Sequence, residues 1–424
     1  MMKKENYSVS EFRLSNNLPL MLINGFDVQS VTIMLLVAVG SRHESNELSG
    51  TAHFLEHMFF KGSSMYPSSN KLAMAMEMLG GLSNAFTSYD YTGYYIKVPF
   101  KNYEKAIELL ADIIINPIFQ KAEFDKEKGV IEEEIKMYDD LPYEKIKDEF
   151  NQTLLSNHPL GRNIAGTLQT LSNISVETIS DFRESYYTPD NMRLIIAGDM
   201  TEKQAIDSAE KYFARMVDKK YSGNTISPAN NEIRVLPINH IHIKKKTEQS
   251  HVVIGGISYE RNHPLEYPLK VGMTLLSDGF GSRLFQNLRE KHGIAYYISG
   301  GVATFEDLGK FYVRAGIANN STQKGVAEMI KAFKELADGD FSQEELDRAK
   351  NYYISTILNS IETGEDKAGW FGIASTLNKK HNTPELQINE IESITREDVA
   401  QAWKGVVRDN NILVAIISDK DIKY

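Results

Sequence analysis

Two histidines and a glutamate within five positions are the residues of this sequence best suited to chemistry. Residues 50–60 read GTAHFLEHMFF, contain no proline and space their apolar residues as a helix does, so they predict a short helix that ends near Gly62. On a helix, positions i and i+4 share a face, so His53 and His57 can direct both imidazoles at one point. Two neutral imidazoles suit zinc, which takes three protein ligands in catalytic sites and keeps one position open.

Glu56 lies beside that face, three positions after His53 and one before His57. It cannot point in the same direction as His57, so it is placed to contact metal-bound water rather than the metal. As a general base, Glu56 would take the proton when that water attacks a carbonyl group. The alternative is a surface helix whose polar side chains are only solvated, because a pattern of three fixed residues also arises by chance.

A third metal ligand is predicted on a second helix, over residues 123–139. Glu127 and Glu134 lie seven positions apart and project from nearly the same line of that helix. A carboxylate on a mostly apolar face needs a partner, because an unpaired buried charge is costly. Glu134 is the predicted ligand and Glu127 an acceptor that orients a histidine, although spacing alone leaves Glu132 and Glu133 as competitors. The predicted buried stripe of this helix consists of Phe124, Val130, Ile131, Ile135 and the stem of Met137.

The chain contains an internal repeat with an offset of 220 residues. Residues 174–179 (ISVETI) align with 394–399 (ITREDV), and residues 190–199 (DNMRLIIAGD) align with 410–419 (NNILVAIISD). Each copy predicts a capped helix followed by a buried strand that ends in aspartate. Several collinear pieces of this kind indicate a duplication.

The second copy is an internal control for the proposed metal site. At an offset of 220 or 222 residues, the five site residues are replaced by groups that do not bind metal: Met273, Leu276, Ser277, Ala349 and Thr356. A duplicate that kept the fold would have little reason to lose all five together if they served the fold alone. The comparison therefore indicates a functional site in the first half only.

Strands and helices occur in blocks in each half of the chain. This arrangement predicts an α+β fold of two homologous domains, each a mostly antiparallel sheet packed with helices. The polar, turn-rich stretch 217–233 is the predicted linker. The predicted domains are 1–216, which carries the metal site, and 234–424, which lacks the metal ligands.

The composition excludes several classes of protein. The 424 residues include no cysteine, so disulfides and thiolate metal sites are not available. The net charge of −10 disfavours nucleic acids and anionic membranes as partners. Apolar runs such as 31–39 and 412–417 are too short to span a bilayer and predict buried strands, and no secretory signal is recognisable. We therefore expect a cytoplasmic protein without nucleic-acid or membrane partners.

On these residues the chain resembles the pitrilysin-like zinc peptidases, the family of insulin-degrading enzyme and the mitochondrial processing peptidase. Residues 53–57 (HFLEH) match the family's HxxEH motif. Glu134 follows His57 by 77 positions, the separation expected for the third ligand, and Glu127 matches the family's upstream glutamate. The resemblance covers nearly the whole chain. It implies one zinc ion per chain and favours Glu134 over its two neighbours.

The resemblance also implies a substrate-binding strand near the metal. Residues 80–88 (GGLSNAFTS) are similar to the family's strand in that position. Asn84, Ala85 and Phe86 would then pair with the backbone of a peptide, as an exposed sheet edge does. Without the resemblance, an ordinary hairpin strand is the simpler interpretation.

In the second half, residues 281–296 are similar to the family's SRLF…LRE…G…AY pattern. The family's catalytic arginine and tyrosine would then be Arg289 and Tyr296. A cation and a phenol suit the binding of substrate backbone and of an oxyanion that forms on the scissile carbonyl. Tyr297 is the adjacent competitor, and the resemblance favours Tyr296.

The resemblance further implies an oligomeric endopeptidase. Short members of the family pair into a four-domain clamshell around a closed chamber, of which each chain forms half, with the arginine and tyrosine supplied by the partner. This chain carries both sets of residues, so a homodimer is expected, and a heterodimer with a paralogue or action in cis are alternatives. The expected activity is zinc-dependent hydrolysis of oligopeptides or unfolded polypeptide segments, as in a processing peptidase. The alternative function is a non-catalytic assembly or binding subunit.

Overall fold

The computed structural model describes residues 7–26, 28–217, 219–221, 239–378, 383–408 and 410–420. Most of the predicted linker 217–233 therefore lies outside the described residues. The chain divides into two compact units, and each is built around one sheet with helices packed on it. The predicted α+β class is confirmed.

The first unit is built on a six-stranded sheet with the order β1-β2-β6-β3-β5-β4. Its strands are β1 (Ser8–Arg13), β2 (Pro19–Asn24), β3 (Ser30–Val37), β4 (Leu82–Thr87), β5 (Thr92–Pro99) and β6 (Met192–Ala197). Neighbouring strands are antiparallel except β2 and β6, which run parallel. The run SVTIMLLV of β3 is buried after its first residue, because this strand packs against apolar side chains on both of its faces.

The helices before the predicted linker are α1 (Thr51–Met58), α2 (Ser69–Met78), α3 (Tyr103–Ile115), α4 (Lys121–Asp140), α5 (Pro142–Leu154), α6 (Leu168–Asn173), α7 (Val176–Tyr186) and α8 (Glu202–Phe213). The two helices predicted to carry the metal ligands are thus α1 and α4. The buried stripe predicted for α4 is wrong at Val130 and Met137, which are 48% and 51% exposed. Val130 is one residue from the buried Ile131 and so points about 100° away from it.

The second unit is built on a five-stranded sheet with the order β7-β11-β8-β10-β9. Its strands are β7 (His240–Lys244), β8 (Ser250–Ser258), β9 (Ala295–Thr304), β10 (Gly309–Ile317) and β11 (Leu413–Ser418). The helices after the predicted linker are α9 (Glu266–Ser277), α10 (Thr322–Ala337), α11 (Gln343–Asn359), α12 (Gly364–Thr376), α13 (Pro384–Ser393) and α14 (Arg396–Val406). None of the helices in the described part of the chain is long and apolar enough to cross a membrane.

The two sheets repeat one topology, as the duplication predicts. The order β7-β11-β8-β10-β9 corresponds to β2-β6-β3-β5-β4, and the pairs β7/β11 and β2/β6 are both parallel. Ser175 caps α7 and Thr395 caps α14, in each case with the side-chain oxygen accepting from a backbone N–H three residues later. Each of these helices is followed by a buried strand, β6 or β11. The repeated segments of sequence therefore have the same local structures.

The compact units depart from the predicted boundaries 1–216 and 234–424 because two segments are exchanged. Met137–Gly161, with α5, belongs to the second unit, where α5 packs on β8 and β11. Ser360–Asn378, with α12, belongs to the first unit, where α12 packs on β3 and β6. Buried apolar residues of α12, among them Ala368 and Phe371, cover one face of the first sheet. Sequence repeats show which elements are duplicated and not which sheet each element packs on, so this exchange could not be read from the repeat.

Candidate metal centre

Helix α1 is held at its first turn by a buried carboxylate. Its N-cap is Gly50, whose φ of 102° lies in the left-handed region that favours glycine. Glu44 accepts hydrogen bonds from the backbone N–H groups of Gly50 (2.8 Å) and Ala52 (2.7 Å), donors that lack intrahelical partners at the start of a helix. The apolar face of α1 is buried through Phe54, Leu55 and Met58. The direction of the histidine-bearing face is fixed by both sets of contacts.

We expect Glu44→Gln to destabilise the first turn of α1 by about 1–3 kcal/mol, because the glutamine amide nitrogen would face a backbone donor that it cannot satisfy. Hydrogen exchange of the α1 amides reports the local opening free energy and measures this change. Glu47→Gln is the matched control, since Glu47 is exposed on the same loop. Unchanged exchange rates in Glu44→Gln would remove the carboxylate from this stabilising role.

The two histidines of α1 and Glu134 of α4 converge on one point. Nε2 of His53 lies 3.9 Å from Oε1 of Glu134, and Nε2 of His57 lies 3.8 Å from Oε2 of the same carboxylate. The three potential ligand atoms lie within 4.8 Å of one another. Zinc bonds of about 2.0–2.1 Å place tetrahedral ligand atoms roughly 3.3 Å apart, so a small closure would complete the coordination. The donor set of two imidazoles and one carboxylate fits a catalytic zinc ion.

This cluster is the one group of at least three potential metal ligands found among the described residues. His240 and His242 alternate on β7, and Nε2 of His242 lies 2.8 Å from the hydroxyl of Ser418. No acidic or histidine side chain of the described residues joins them as a third ligand. The structure therefore gives one candidate metal centre within the part of the chain that it describes, in the first unit.

The environment of His53 keeps its imidazole neutral, which is the form that binds a metal. Burial, with a smaller contribution from the neighbouring His57, lowers the pKa of His53 from 6.5 to about 4. The rings of the two histidines are 4.6 Å apart between centroids and meet edge to face. A metal ion would not have to displace a proton from His53 at neutral pH.

Glu127, which the sequence predicts to orient a histidine, contacts the ring of His57. Nδ1–H of His57 donates to Oε1 of Glu127 (2.8 Å), which directs Nε2 toward Glu134. Burial alone would lower the pKa of His57, but the hydrogen bond and charge of Glu127 outweigh it and raise the pKa. Oε2 of Glu127 lies 2.5 Å from Nζ of Lys61. This ion pair accounts for the burial of an ionised Glu127, and Lys61 was not predicted from the sequence.

Glu56 stands beside the ligand cluster and is held by a different element. Oγ1 of Thr87, the last residue of β4, donates to Oε2 of Glu56 (2.5 Å). Burial raises the pKa of Glu56, and the Thr87 hydrogen bond opposes that rise. A carboxylate whose pKa is shifted upward is better matched to proton transfer near neutral pH. Thr87 was also not predicted from the sequence, although it lies within the stretch 80–88.

The predicted substrate strand is β4, the terminal strand of the first sheet. It pairs with β5 on one side, from Leu82 opposite Lys97 to Thr87 opposite Thr92. Asn84 is exposed, whereas Ala85 and Phe86 are half-buried. The other edge of β4 has no strand partner among the described residues, so its backbone can pair with an extended peptide.

Arg289 and Tyr296 lie next to each other in the second unit. Arg289 lies in a π-helical segment, Phe285–Lys291, and its Nη1 donates to the carbonyl oxygen of Tyr296 (3.1 Å). Single π-helical turns occur frequently at functional sites. Tyr296 is 65% exposed, whereas the hydroxyl of Tyr297 lies 3.0 Å from Nδ1 of His251 and burial raises the pKa of Tyr297 to about 12. Of the two tyrosines, Tyr296 is the one whose phenol is available to a ligand.

Relatives of the chain carry descriptions that agree with this centre. The chain is 33% identical over 391 residues to "Uncharacterized zinc protease YmxG" of Bacillus subtilis, with 92% of this chain and 94% of the relative covered. It is 32% identical over 426 residues to an uncharacterized zinc protease of Rickettsia felis, with 99% of both chains covered. The solved structure of a protease from Helicobacter pylori has a TM-score of 0.90 at 23% identity, with 98% of this chain and 100% of that chain covered.

Two family models match consecutive parts of the chain. The model described as insulinase, peptidase family M16, matches residues 21–168, which contain all the proposed zinc ligands. The model described as the peptidase M16 inactive domain matches residues 173–353, in agreement with the loss of the ligands from the second copy. The fold, the relatives and both family models agree. The chain belongs to the pitrilysin-like M16 family of peptidases.

Proposed function

We propose that this protein is a zinc-dependent endopeptidase that hydrolyses oligopeptides or unfolded polypeptide segments. The observation that carries the proposal is the convergence of His53, His57 and Glu134, with the half-buried Glu56 beside them. The descriptions of the relatives as zinc proteases support the same chemistry. The second unit lacks such a cluster within its described residues, so one zinc ion per chain is proposed.

In this mechanism each side chain has a separate task. Zinc at such a centre supplies Lewis acidity, which makes water nucleophilic at neutral pH and polarises a carbonyl group. Glu56 takes the proton of the attacking water and passes it to the leaving amine, while Thr87 holds its carboxylate in place. Glu127 and Lys61 fix the ring of His57. The edge of β4 pairs with an extended peptide backbone, through Asn84 to Phe86, and so selects for unfolded substrates.

We further propose that Arg289 and Tyr296 bind the substrate backbone and the developing oxyanion. We also propose that the protein acts as a homodimer that encloses a chamber. The exposure of Tyr296 and its contact with Arg289 support this role. Because both sets of residues are present in one chain, a homodimer needs no second gene product. The substrate site would then combine residues of two chains.

Mixing two inactive variants tests this arrangement. We expect Glu56→Gln and Arg289→Ala homodimers to be inactive and their mixture to recover partial activity, because a mixed dimer contains one site with an intact Glu56 and an intact Arg289. Peptide cleavage after exchange of subunits is the measurement. A mixture that stays inactive, while the exchange itself is confirmed by mass, would place Arg289 in cis or outside the site. Arg396→Ala, which removes an arginine at the start of α14 that is not among the proposed site residues, is the control.

The second candidate is a non-catalytic assembly or binding subunit, which the match of the second half to an inactive domain favours. Digestion of a peptide library with and without a chelator, read by mass spectrometry, separates the two. The proposed peptidase gives cleavage products that disappear with the chelator and return with zinc. Absence of products from zinc-loaded protein would support the binding subunit.

A further inference from the structure

The second unit contains a groove outside the proposed site, and none of the described helices or strands covers it. It lies between α10, the end of α14 and the strands β7 and β11, and it has a volume of about 480 Å³. Its apolar lining consists of Ile330, Phe333, Ala337, Val407, Ile412 and Val414. Phe333 and Val414 are buried, and the other four are half-buried. The groove is therefore an apolar floor that is only partly protected from water.

The corresponding place in the first unit is filled by a helix. There α8 packs against α3 and β2, and it buries small and aromatic side chains, namely Ala205, Ala209, Tyr212 and Phe213. In the repeated topology α10 corresponds to α3, and β7 corresponds to β2. Helix α14 packs on α10, but no helix within the described residues packs on α10 and β7 together as α8 packs on α3 and β2. The groove is thus the counterpart of a helix-binding surface.

The rim of the groove is basic, although the chain as a whole is acidic. Lys334, Lys404 and Arg408 line it and are exposed. Asp338 is the acidic side chain among the lining residues. The protein has a net charge of −10, so three exposed cations around one apolar groove are a local excess of positive charge.

We propose that this groove binds an amphipathic, acidic helix of a partner protein. An apolar floor between two helices and two strands can accept the apolar face of a further helix, as grooves that recognise helical peptides do. The basic rim selects carboxylates on the flanks of that helix. The partner helix would occupy in the second unit the place that α8 occupies in the first.

A peptide derived from α8 is a suitable probe. The peptide has the sequence of residues 201–216 with glutamate in place of Lys203, Lys211 and Arg215, and it carries a fluorescent label. We expect saturable binding to the full chain by fluorescence anisotropy. Lys334→Glu combined with Lys404→Glu should weaken the binding by about tenfold or more. Lys331→Glu, an exposed charge reversal on the same helix outside the groove, is the matched control and should leave affinity within about twofold.

A second probe and the oligomeric state complete the test. The same peptide with aspartate at positions 205, 209 and 213 lacks the apolar face and should not bind. The proposal is overturned if the first probe does not bind, if both peptides bind equally, or if Lys331→Glu weakens binding as much as the groove variants. It is also overturned if the groove variants dissociate an oligomer of this chain, because the surface would then join two copies.

Discussion

The variant Glu56→Gln is expected to retain one equivalent of zinc and to lower kcat by about 10²–10⁴-fold, the usual contribution of a positioned general base. Glutamine has nearly the same shape and can still accept the hydrogen bond from Thr87, so the local structure should persist. It cannot take a proton from water. Peptide turnover, together with metal content by mass spectrometry, measures both parts of the expectation.

Two variants separate a catalytic role of Glu56 from a structural one. Glu133→Gln removes a carboxylate of α4 that is 75% exposed and pairs with Lys136, so it should leave turnover unchanged. Thr87→Val removes the hydrogen bond to Glu56 without removing the base, so a partial loss of kcat is expected. Undiminished turnover in Glu56→Gln would exclude Glu56 as the base, and loss of zinc from that variant would indicate a metal ligand instead.

The second large effect is expected at Glu134. Glu134→Ala should weaken zinc binding by about 100-fold or more and abolish cleavage, because substitutions of groups that merely orient ligands already cost about 10–100-fold in metal affinity. The measurement is competition with a chromogenic chelator. The carboxylate of Glu134 lies 3.8–3.9 Å from Nε2 of each of the two histidines. No other acidic residue of α4 belongs to this ligand cluster.

The neighbouring glutamates are the controls for that variant. Glu132→Ala and Glu133→Ala are expected to bind zinc with wild-type affinity, since neither residue belongs to the ligand cluster. If one of them lowered zinc affinity as much as Glu134→Ala, the assignment of the third ligand would be wrong. Normal zinc binding by Glu134→Ala would also show that Glu134 is not the third ligand.

The ligand helix could be predicted from sequence because its evidence is local. His53 and His57 are one turn apart, and helical spacing alone places their side chains on one face. Glu134 was harder to predict, because three consecutive glutamates differ only in the direction in which their side chains project from the helix. The choice among them rested on the resemblance. The error at Val130 has the same origin, because an apolar residue next to a buried one need not share its face.

Contacts between residues far apart in the sequence could not be predicted from local sequence patterns. Thr87 and Lys61 are common surface residue types, and only the fold shows that one holds Glu56 and the other pairs with Glu127. The exchange of α5 and α12 between the units is likewise determined by tertiary packing and not by local sequence. Both helices have the composition of ordinary helices, and nothing in their spacing shows which sheet they cover.

The proposed chemistry depends on one zinc ion held by His53, His57 and Glu134. The direct test is anomalous diffraction at the zinc absorption edge from crystals of the full chain. We expect one peak per chain, about 2.0–2.2 Å from Nε2 of each histidine and from a carboxylate oxygen of Glu134. A zinc-soaked crystal with no peak at this position, or with its peak on other side chains, would show that these three residues do not form the zinc site.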